Sequence, residues 1–254
     1  MTKIMKKLCI NDIKKNFNNA ASVYGKYCQI QIFFADKIVS FLRNLNIEDG
    51  EWLDLGSGTG VLSEKIEKEF NNKNLYRIDF SNKMLLMDKS KNSKILWDLN
   101  QGLPPSLNNC SLIVSNFCLH WLTSPELIIK EWFEKLGKDG FLIVSYPTNL
   151  SFPEWRNTCS TNKLSYSGNS FPSEELLLSN FSKKEIYLSQ KYKYKENFPT
   201  VYKLFKNIVN LGAQTTSNKR NTVYELRKLQ KFWPKKKDNS VELTWEINIL
   251  ILKK

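Results

Sequence analysis

Three glycines at alternate positions, Gly56, Gly58 and Gly60, end the run Glu51-Trp52-Leu53-Asp54-Leu55 and lead into Val61-Leu62-Ser63-Glu64-Lys65-Ile66. An apolar run, a glycine turn and helical spacing in succession specify a buried strand that turns sharply into a helix. Glycine takes positive φ without a Cβ penalty and lets a ligand come within contact distance of the backbone. The turn is therefore built to be touched, and the chain is committed to an α/β unit with its ligand over the strand end.

A dinucleotide-binding turn has the spacing Gly-x-Gly-x-x-Gly and aims helix-terminal amides at a pyrophosphate. Here the third glycine comes one residue early, and Asp54 stands two residues before the first. A carboxylate there repels a pyrophosphate. It suits a ligand whose near end carries an ammonium and a sulfonium, as the methionine portion of S-adenosylmethionine (SAM) does.

Downstream segments repeat the strand-then-acid pattern. Leu75-Tyr76-Arg77-Ile78 reads as a strand ending at Asp79, 23 residues past Gly56, close to the roughly 20 at which a strand-end acid meets a ribose hydroxyl pair. Ser81 is placed to cap a helix running through Lys89 and presenting Met84, Leu85 and Met87. Ile95-Leu96-Trp97 ends at Asp98, whose carboxylate can accept from an adenine amino group while Leu99 packs on the ring. Cys110 to Ser115 is a fully apolar strand followed by Asn116, Pro125 to Leu136 is a helix with proline near its start, and Gly140 to Tyr146 is a fifth strand. Strands alternating with helices at this spacing require a mostly parallel sheet with helices on both faces. Gly56, Asp79, Asp98 and Asn116 all fall at its carboxyl edge, where such sheets bind ligands.

Outside this core the pattern changes. Residues 1–10 read as a frayed basic tail, and Asn11 to about Leu45 as two amphipathic helices broken near Gly25, a cap over the mouth that the glycines help to form. After Pro147 come short helices opening at Pro153 and Ser173, a strand from Lys184 to Tyr194, helices over Val201–Leu211 and Val223–Phe232, and a long strand from Val241 to Ile251. The expected organisation is a single domain over 1–254, with an N-terminal helical cap (11–48), a SAM-binding core (49–150) and a substrate-side lid with completing strands (151–254).

Composition excludes several classes. One histidine among 254 residues rules out multi-histidine metal centres and speaks against a nucleophilic triad. Five scattered cysteines without a Cys-x-x-Cys read as reduced thiols of a cytoplasmic protein. No apolar segment approaches the ~18 residues of a membrane span. The net charge of +13 comes from 33 lysines and only 5 arginines, whereas a bidentate phosphate or base reader favours arginine. Nucleic acid is not the expected partner; the charge instead permits docking of an acidic protein.

Taken together, Trp52 to Gly60, Arg77 to Ser81 with Met84, Trp97-Asp98, and Val114 to Trp121 resemble the class I SAM-dependent methyltransferases over about residues 50–150. Within them the chain most resembles the malonyl-acyl-carrier-protein O-methyltransferases of biotin synthesis. That likeness rests on Phe17 to Tyr24 with Gln31, on Ser115-Asn116 to His120-Trp121, and on Phe205 to Ala213. The sequence departs from it at Trp97, where a small residue often stands, and in a loop one residue longer after Asp98. The resemblance implies a Rossmann-like α/β fold with a seven-stranded sheet, SAM as cofactor, S-adenosylhomocysteine as product, and methyl transfer to the free carboxylate of a malonyl thioester on an acidic carrier protein. It implies that Asp54, Gly56, Ser57 and Gly58 hold the methionine portion, Asp79 with Phe80 the ribose side, Met84, Asp98 and Leu99 the adenine, and Asn116 the rim near the sulfonium. Tyr24 would shield the methyl from the cap, His120 would contact substrate, and Arg156 would meet the malonyl carboxylate, with Arg220 and Arg227 as rivals. A malonyl carboxylate is ionised at neutral pH, so alignment and exclusion of water suffice without a general base. Another small carboxylic acid, RNA, or a non-catalytic scaffold role on the same fold remain the alternatives.

Overall fold

The computed structural model describes residues 2–71, 73, 75–216, 218 and 221–254, with side chains from residue 10 onward. Seven strands form one sheet in the order β3-β2-β1-β4-β5-β7-β6. They are β1 (Trp52–Leu55), β2 (Leu75–Asp79), β3 (Lys94–Leu96), β4 (Cys110–Asn116), β5 (Leu136–Pro147), β6 (Ile186–Phe198) and β7 (Val241–Lys253). The first five are parallel, and β7 pairs antiparallel with both β5 and β6. Chain order reverses between β1 and β4, which opens a crevice at their carboxyl ends.

Alternation along the strands sends side chains into two cores. Trp52, Leu112, Val114, Ile143 and Ile249 pack with Ile30, Phe34 and Ile38 of α2 (Gln29–Leu42), with Leu62 and Ile66 of α3 (Val61–Glu69), and with Trp155 of α6 (Pro153–Thr161). Leu53, Leu55, Ile113, Leu142 and Leu250 pack on the other face with Ile128, Ile129 and Trp132 of α5 (Pro125–Glu134) and Leu177 of α7 (Glu174–Leu178). The layer on each face follows from burying both sides of a parallel sheet.

The N-terminal helix α1 covers Thr2–Ala20, so the frayed tail expected over residues 1–10 is helical from Thr2. It lies against α4 (Asn82–Met87), which ends two residues before Lys89. A single-turn 3-10 helix at Tyr24–Lys26 makes the break before α2. In the C-terminal segment, α8 (Val201–Asn210) and α9 (Val223–Phe232) lie between β6 and β7 in sequence. The expected strand at Lys184–Tyr194 starts at Ile186 and runs on to Phe198, held along its length by β7. Helix α1 meets the segment after α8 where Asn16 Nδ2 donates to Thr215 Oγ1 at 2.7 Å, and Gly212, at φ +75°, lets the Asn16 carbonyl approach. No helix among the described residues is long and apolar enough to cross a membrane.

Candidate active site

At the crevice the chain encloses two adjoining chambers. The smaller, about 70 Å³, is lined by Gly56, Gly58, Asp79, Phe80, Met84, Asp98, Leu99 and Asn116, with Trp97, Asn100, Cys118 and Leu122. Its floor is the glycine turn, where Gly56, Gly58 and Gly60 stand at φ +71°, +56° and +84°. Gly56 N donates to Ile78 O at 2.8 Å and Gly58 N to Asp79 Oδ2 at 2.9 Å, which folds the turn onto the end of β2. A Cβ on Gly56 would lie 2.4 Å from Cys118 Sγ, so both conformation and space demand glycine there.

Asp79 organises this chamber. Its Oδ1 accepts from Ser81 N at 2.7 Å, so each carboxylate oxygen keeps one strand-end amide in place. Burial pushes its pKa up to about 6, against the lowering effect of those amides. Ser81 caps α4 by accepting from Met84 N at 3.2 Å and donates to Asn18 Oδ1 at 2.8 Å, which ties the cap helix to the cofactor side. Asp98 Oδ1 accepts from both nitrogens of Asn100, at 3.0 and 2.8 Å, and so holds the turn after β3. Asn116 is fixed at both ends, with Nδ2 donating to Gln31 O at 2.9 Å and Ser145 Oγ donating to Oδ1 at 2.5 Å.

The larger chamber, about 250 Å³, is walled by His120, Phe152, Trp155, Phe171, Glu196, Trp245 and parts of α8 and α9. Phe17, Tyr24, Phe117 and Trp121 line both chambers and form the partition between them. Phe17 packs edge-on against Trp121 at 5.3 Å, which joins the cap to the turn after β4. Burial raises the Tyr24 phenol far above its ordinary pKa, so its hydroxyl stays protonated. His120 sits among Trp121 (5.0 Å), Phe171 (5.4 Å) and Phe117 (6.2 Å), with Nδ1 buried and unpartnered. Desolvation lowers its pKa to about 3, so the ring is neutral at physiological pH.

The chain has counterparts among known proteins. A methyltransferase domain family matches residues 28–180. The chain belongs to that family. It is a SAM-dependent methyltransferase with a class I, Rossmann-like fold, and SAM is its cofactor. The malonyl-[acyl-carrier protein] O-methyltransferase 2 of Ilyobacter polytropus is 28% identical, over 95% of this chain and 97% of its own. The malonyl-[acyl-carrier protein] O-methyltransferase of Priestia megaterium is 27% identical, over 81% of this chain and 82% of its own. Among solved structures, the YcgJ protein of Bacillus subtilis superposes with a TM-score of 0.59 at 11% identity, covering 87% of this chain and 97% of its own. The magnesium protoporphyrin IX methyltransferase of Synechocystis, solved with bound S-adenosylhomocysteine, gives 0.53 at 13%, covering 90% and 85%.

The methyltransferase's smaller chamber fits SAM on its own chemistry. It offers two carboxylates that can accept hydrogen bonds, an apolar slot at Met84 and Leu99, and open glycine backbone; the buried Ser57 Oγ beside the turn has no partner. Bound SAM supplies a methyl group on a sulfonium; the protein's task is to hold, align and dehydrate.

The structure departs from the sequence expectation at three residues. Asp54 is not on the chamber wall. Strand alternation puts its side chain on the face of Trp52, beneath α3, where Ser63 Oγ donates to Oδ2 at 2.5 Å. Burial lifts its pKa to about 6, while the Ser63 hydrogen bond and the Arg77 guanidinium pull the other way. Ser57 likewise lies beside the chamber and does not line it. Arg156 lies in a separate outer groove with Asn149, Cys159 and Tyr166. Its guanidinium donates to Asn149 O and stacks over the Tyr166 ring at 5.4 Å. Of its rivals, Arg227 is on exposed α9 and Arg220 lies outside the described residues. Among the described residues, no lysine or arginine lines either chamber.

Sequence reasoning missed four contributors. Phe17 and Phe117 complete the partition, and Glu196 puts an acid in the larger chamber, where Oε2 accepts from Trp245 Nε1 at 2.7 Å. Burial raises the Glu196 pKa. Arg77, fully buried beneath the glycine turn, is bidentate to Glu67 at 2.7 and 2.8 Å and pairs with Asp88 at 2.5 Å. The available signal was an arginine inside the short, mostly apolar run Leu75–Ile78, where it has to be paired if buried.

Proposed function

We propose that the protein transfers the methyl group of SAM to the free carboxylate of a malonyl group carried as a thioester on acyl carrier protein, an early step of biotin synthesis. The observation that carries this reading is the pair of adjoining chambers, one bearing carboxylates and glycine backbone and the other aromatic, separated by Tyr24, Phe17, Phe117 and Trp121. Such a partition brings a sulfonium methyl and an acceptor oxygen together across a water-poor boundary. Similarity to two malonyl-carrier methyltransferases over most of the chain supports the acceptor.

In this reading Asp79 accepts from the ribose hydroxyls, Asp98 from the adenine amino group, and Met84 with Leu99 grips the base. Phe80 closes the ribose side and Asn116, locked by Gln31 and Ser145, forms the rim beside the methionine portion. Gly56 and Gly58 give the cofactor backbone contact, Ser57 closes the turn through its backbone, donating to Ile78 O and accepting from Gly60 N, and Asp54 lies beneath α3, held by Ser63. Tyr24 shields the methyl, and neutral His120 contacts the acceptor from the chamber wall. The carboxylate oxygen is already the nucleophile, so the protein supplies orientation and dehydration, not a base.

The lack of a described cation on the acceptor walls favours a second reading, in which the acceptor is a small carboxylic acid with a larger apolar part. Methyl-transfer assays with malonyl-loaded carrier protein, malonyl-coenzyme A, malonate and a medium-chain fatty acid separate them. Turnover of the malonyl thioesters with none of the fatty acid is the expected result. Turnover of the fatty acid alone overturns the first reading.

A further inference from the structure

Helices α8 and α9 hold 20 residues between them, yet they carry six of the fourteen large apolar side chains left exposed among the described residues. These are Tyr202, Val209, Val223, Tyr224, Leu226 and Phe232. Only the alkyl-ammonium arms of Lys228 and Lys231 lie over two of the rings, Tyr224 and Phe232, and apolar surface left exposed in this way marks interaction surfaces. The same helices bear Lys203, Lys206, Arg227, Lys228 and Lys231 against a single acid, Glu225. That acid is already engaged, because its carboxylate accepts from Thr222 N at 2.8 Å in the capping box and from Ser165 N at 3.3 Å. The two helices therefore expose apolar and basic side chains together, and their one acid is already engaged.

Its position is equally informative. Val209 and Leu226 are exposed to solvent and also line the larger chamber, so they are part of its rim. Whatever settles on α8 and α9 sits at the entrance to the acceptor side. Two copies of the chain meeting through this face would oppose like charges in a symmetric contact, which disfavours self-association. An acidic partner gains both long-range attraction from the lysines and short-range burial of the aromatic and aliphatic side chains.

We propose that the α8–α9 face is the docking surface for an acidic protein that carries the methyl acceptor on a flexible arm, the arm entering past Val209 and Leu226. This rests on the carrier-bound acceptor of the proposed function and assigns it a place on the molecule. The lysines act at a distance from the chemistry, so they govern capture of the carrier and leave transfer itself untouched.

The test compares the wild-type protein with a Lys203→Glu/Lys206→Glu/Lys231→Glu variant, all three being exposed positions; unchanged melting establishes that the variant is folded. Binding of malonyl-loaded acyl carrier protein is measured by calorimetry at low salt, and methyl transfer is measured with that protein and with malonyl-coenzyme A. The expected result is a rise of at least about tenfold in Kd and KM for the carrier, with kcat and the KM for malonyl-coenzyme A unchanged. The difference between variant and wild type should narrow as salt is raised. An unchanged carrier Kd overturns the proposal, as does an equal loss with both substrates or wild-type dimerisation through this face in sedimentation. Carrier binding that the variant loses, with no turnover of either malonyl substrate by the wild type, keeps the docking surface and overturns the acceptor assignment.

Discussion

The most direct check of the cofactor chamber is the pH dependence of SAM affinity. Asp79 is buried and its pKa is lifted to about 6 in the free protein. Below that value the carboxyl is largely protonated, and a protonated carboxyl accepts less well from ribose hydroxyls than a carboxylate does. The sign follows: binding favours the ionised form, so protons compete with SAM and affinity rises with pH up to about 6, then levels. With one group of pKa about 6, about a tenth is ionised at pH ~5, so Kd should weaken about tenfold between pH ~7.5 and pH ~5. Calorimetric titration with SAM or S-adenosylhomocysteine across that range reads the slope. Asp79→Asn should weaken binding by about 2–3 kcal/mol at neutral pH and abolish the slope. Asp54 titrates in the same window but sits beneath α3 against Ser63, so Asp54→Asn should retain it. A wild-type Kd flat from pH ~5 to pH ~7.5, or an Asp79→Asn variant that keeps the slope, refutes the assignment.

Three further outcomes follow from the same geometry. Gly56→Ala should abolish measurable SAM binding and lower the melting temperature, because its Cβ would sit 2.4 Å from Cys118 Sγ at φ +71°; Gly25→Ala, with nothing within 4 Å, should leave SAM affinity unchanged. Tyr24→Ala should cut single-turnover methyl transfer by about 100-fold with SAM affinity within a few fold, since it opens the partition and disturbs alignment more than grip. Arg77→Met should destabilise the fold by about 3–5 kcal/mol in urea unfolding, because it leaves Asp88 and Glu67 without their buried cation.

The cofactor half was legible because it is written in contiguous pieces. Each strand of a parallel sheet ends at the same edge, so a glycine turn and the acids after successive apolar runs must converge, and Gly56, Asp79, Asp98 and Asn116 do. What failed there failed by direction. Asp54 has the right residue type close to the turn, yet a period of two in the strand points it beneath α3, where it joins Ser63 near Arg77. Helix ends drifted by a few residues, and the basic N-terminal stretch, read as frayed by its composition, continues α1.

The acceptor half was not legible for a structural reason. Its walls come from Phe17 in the cap, the turn after β4, α6, β6, α8 and β7, residues as far apart in sequence as Phe17 and Trp245. Apart from the His120-Trp121 turn, these positions carry no local signal, since an aromatic at helical spacing reads the same whether it fills a core or faces a cavity. Arg156 illustrates the limit: chemistry asked for a cation in the 147–240 segment, and its neighbours Asn149 and Tyr166 hold it in another groove. Besides its aromatics, the chamber is lined by neutral His120, by Gln31, whose buried Oε1 has no partner, by Glu196, and by side-chain amides and hydroxyls such as those of Asn207, Gln214, Thr215 and Asn221. A carboxylate acceptor entering there would meet amide and hydroxyl donors and aromatic walls, and on the proposed docking its attraction to the protein would come from the lysines of α8 and α9 outside the rim. If the proposed docking holds, the outer surface would select the carrier and the chamber only what can be aligned with the methyl group.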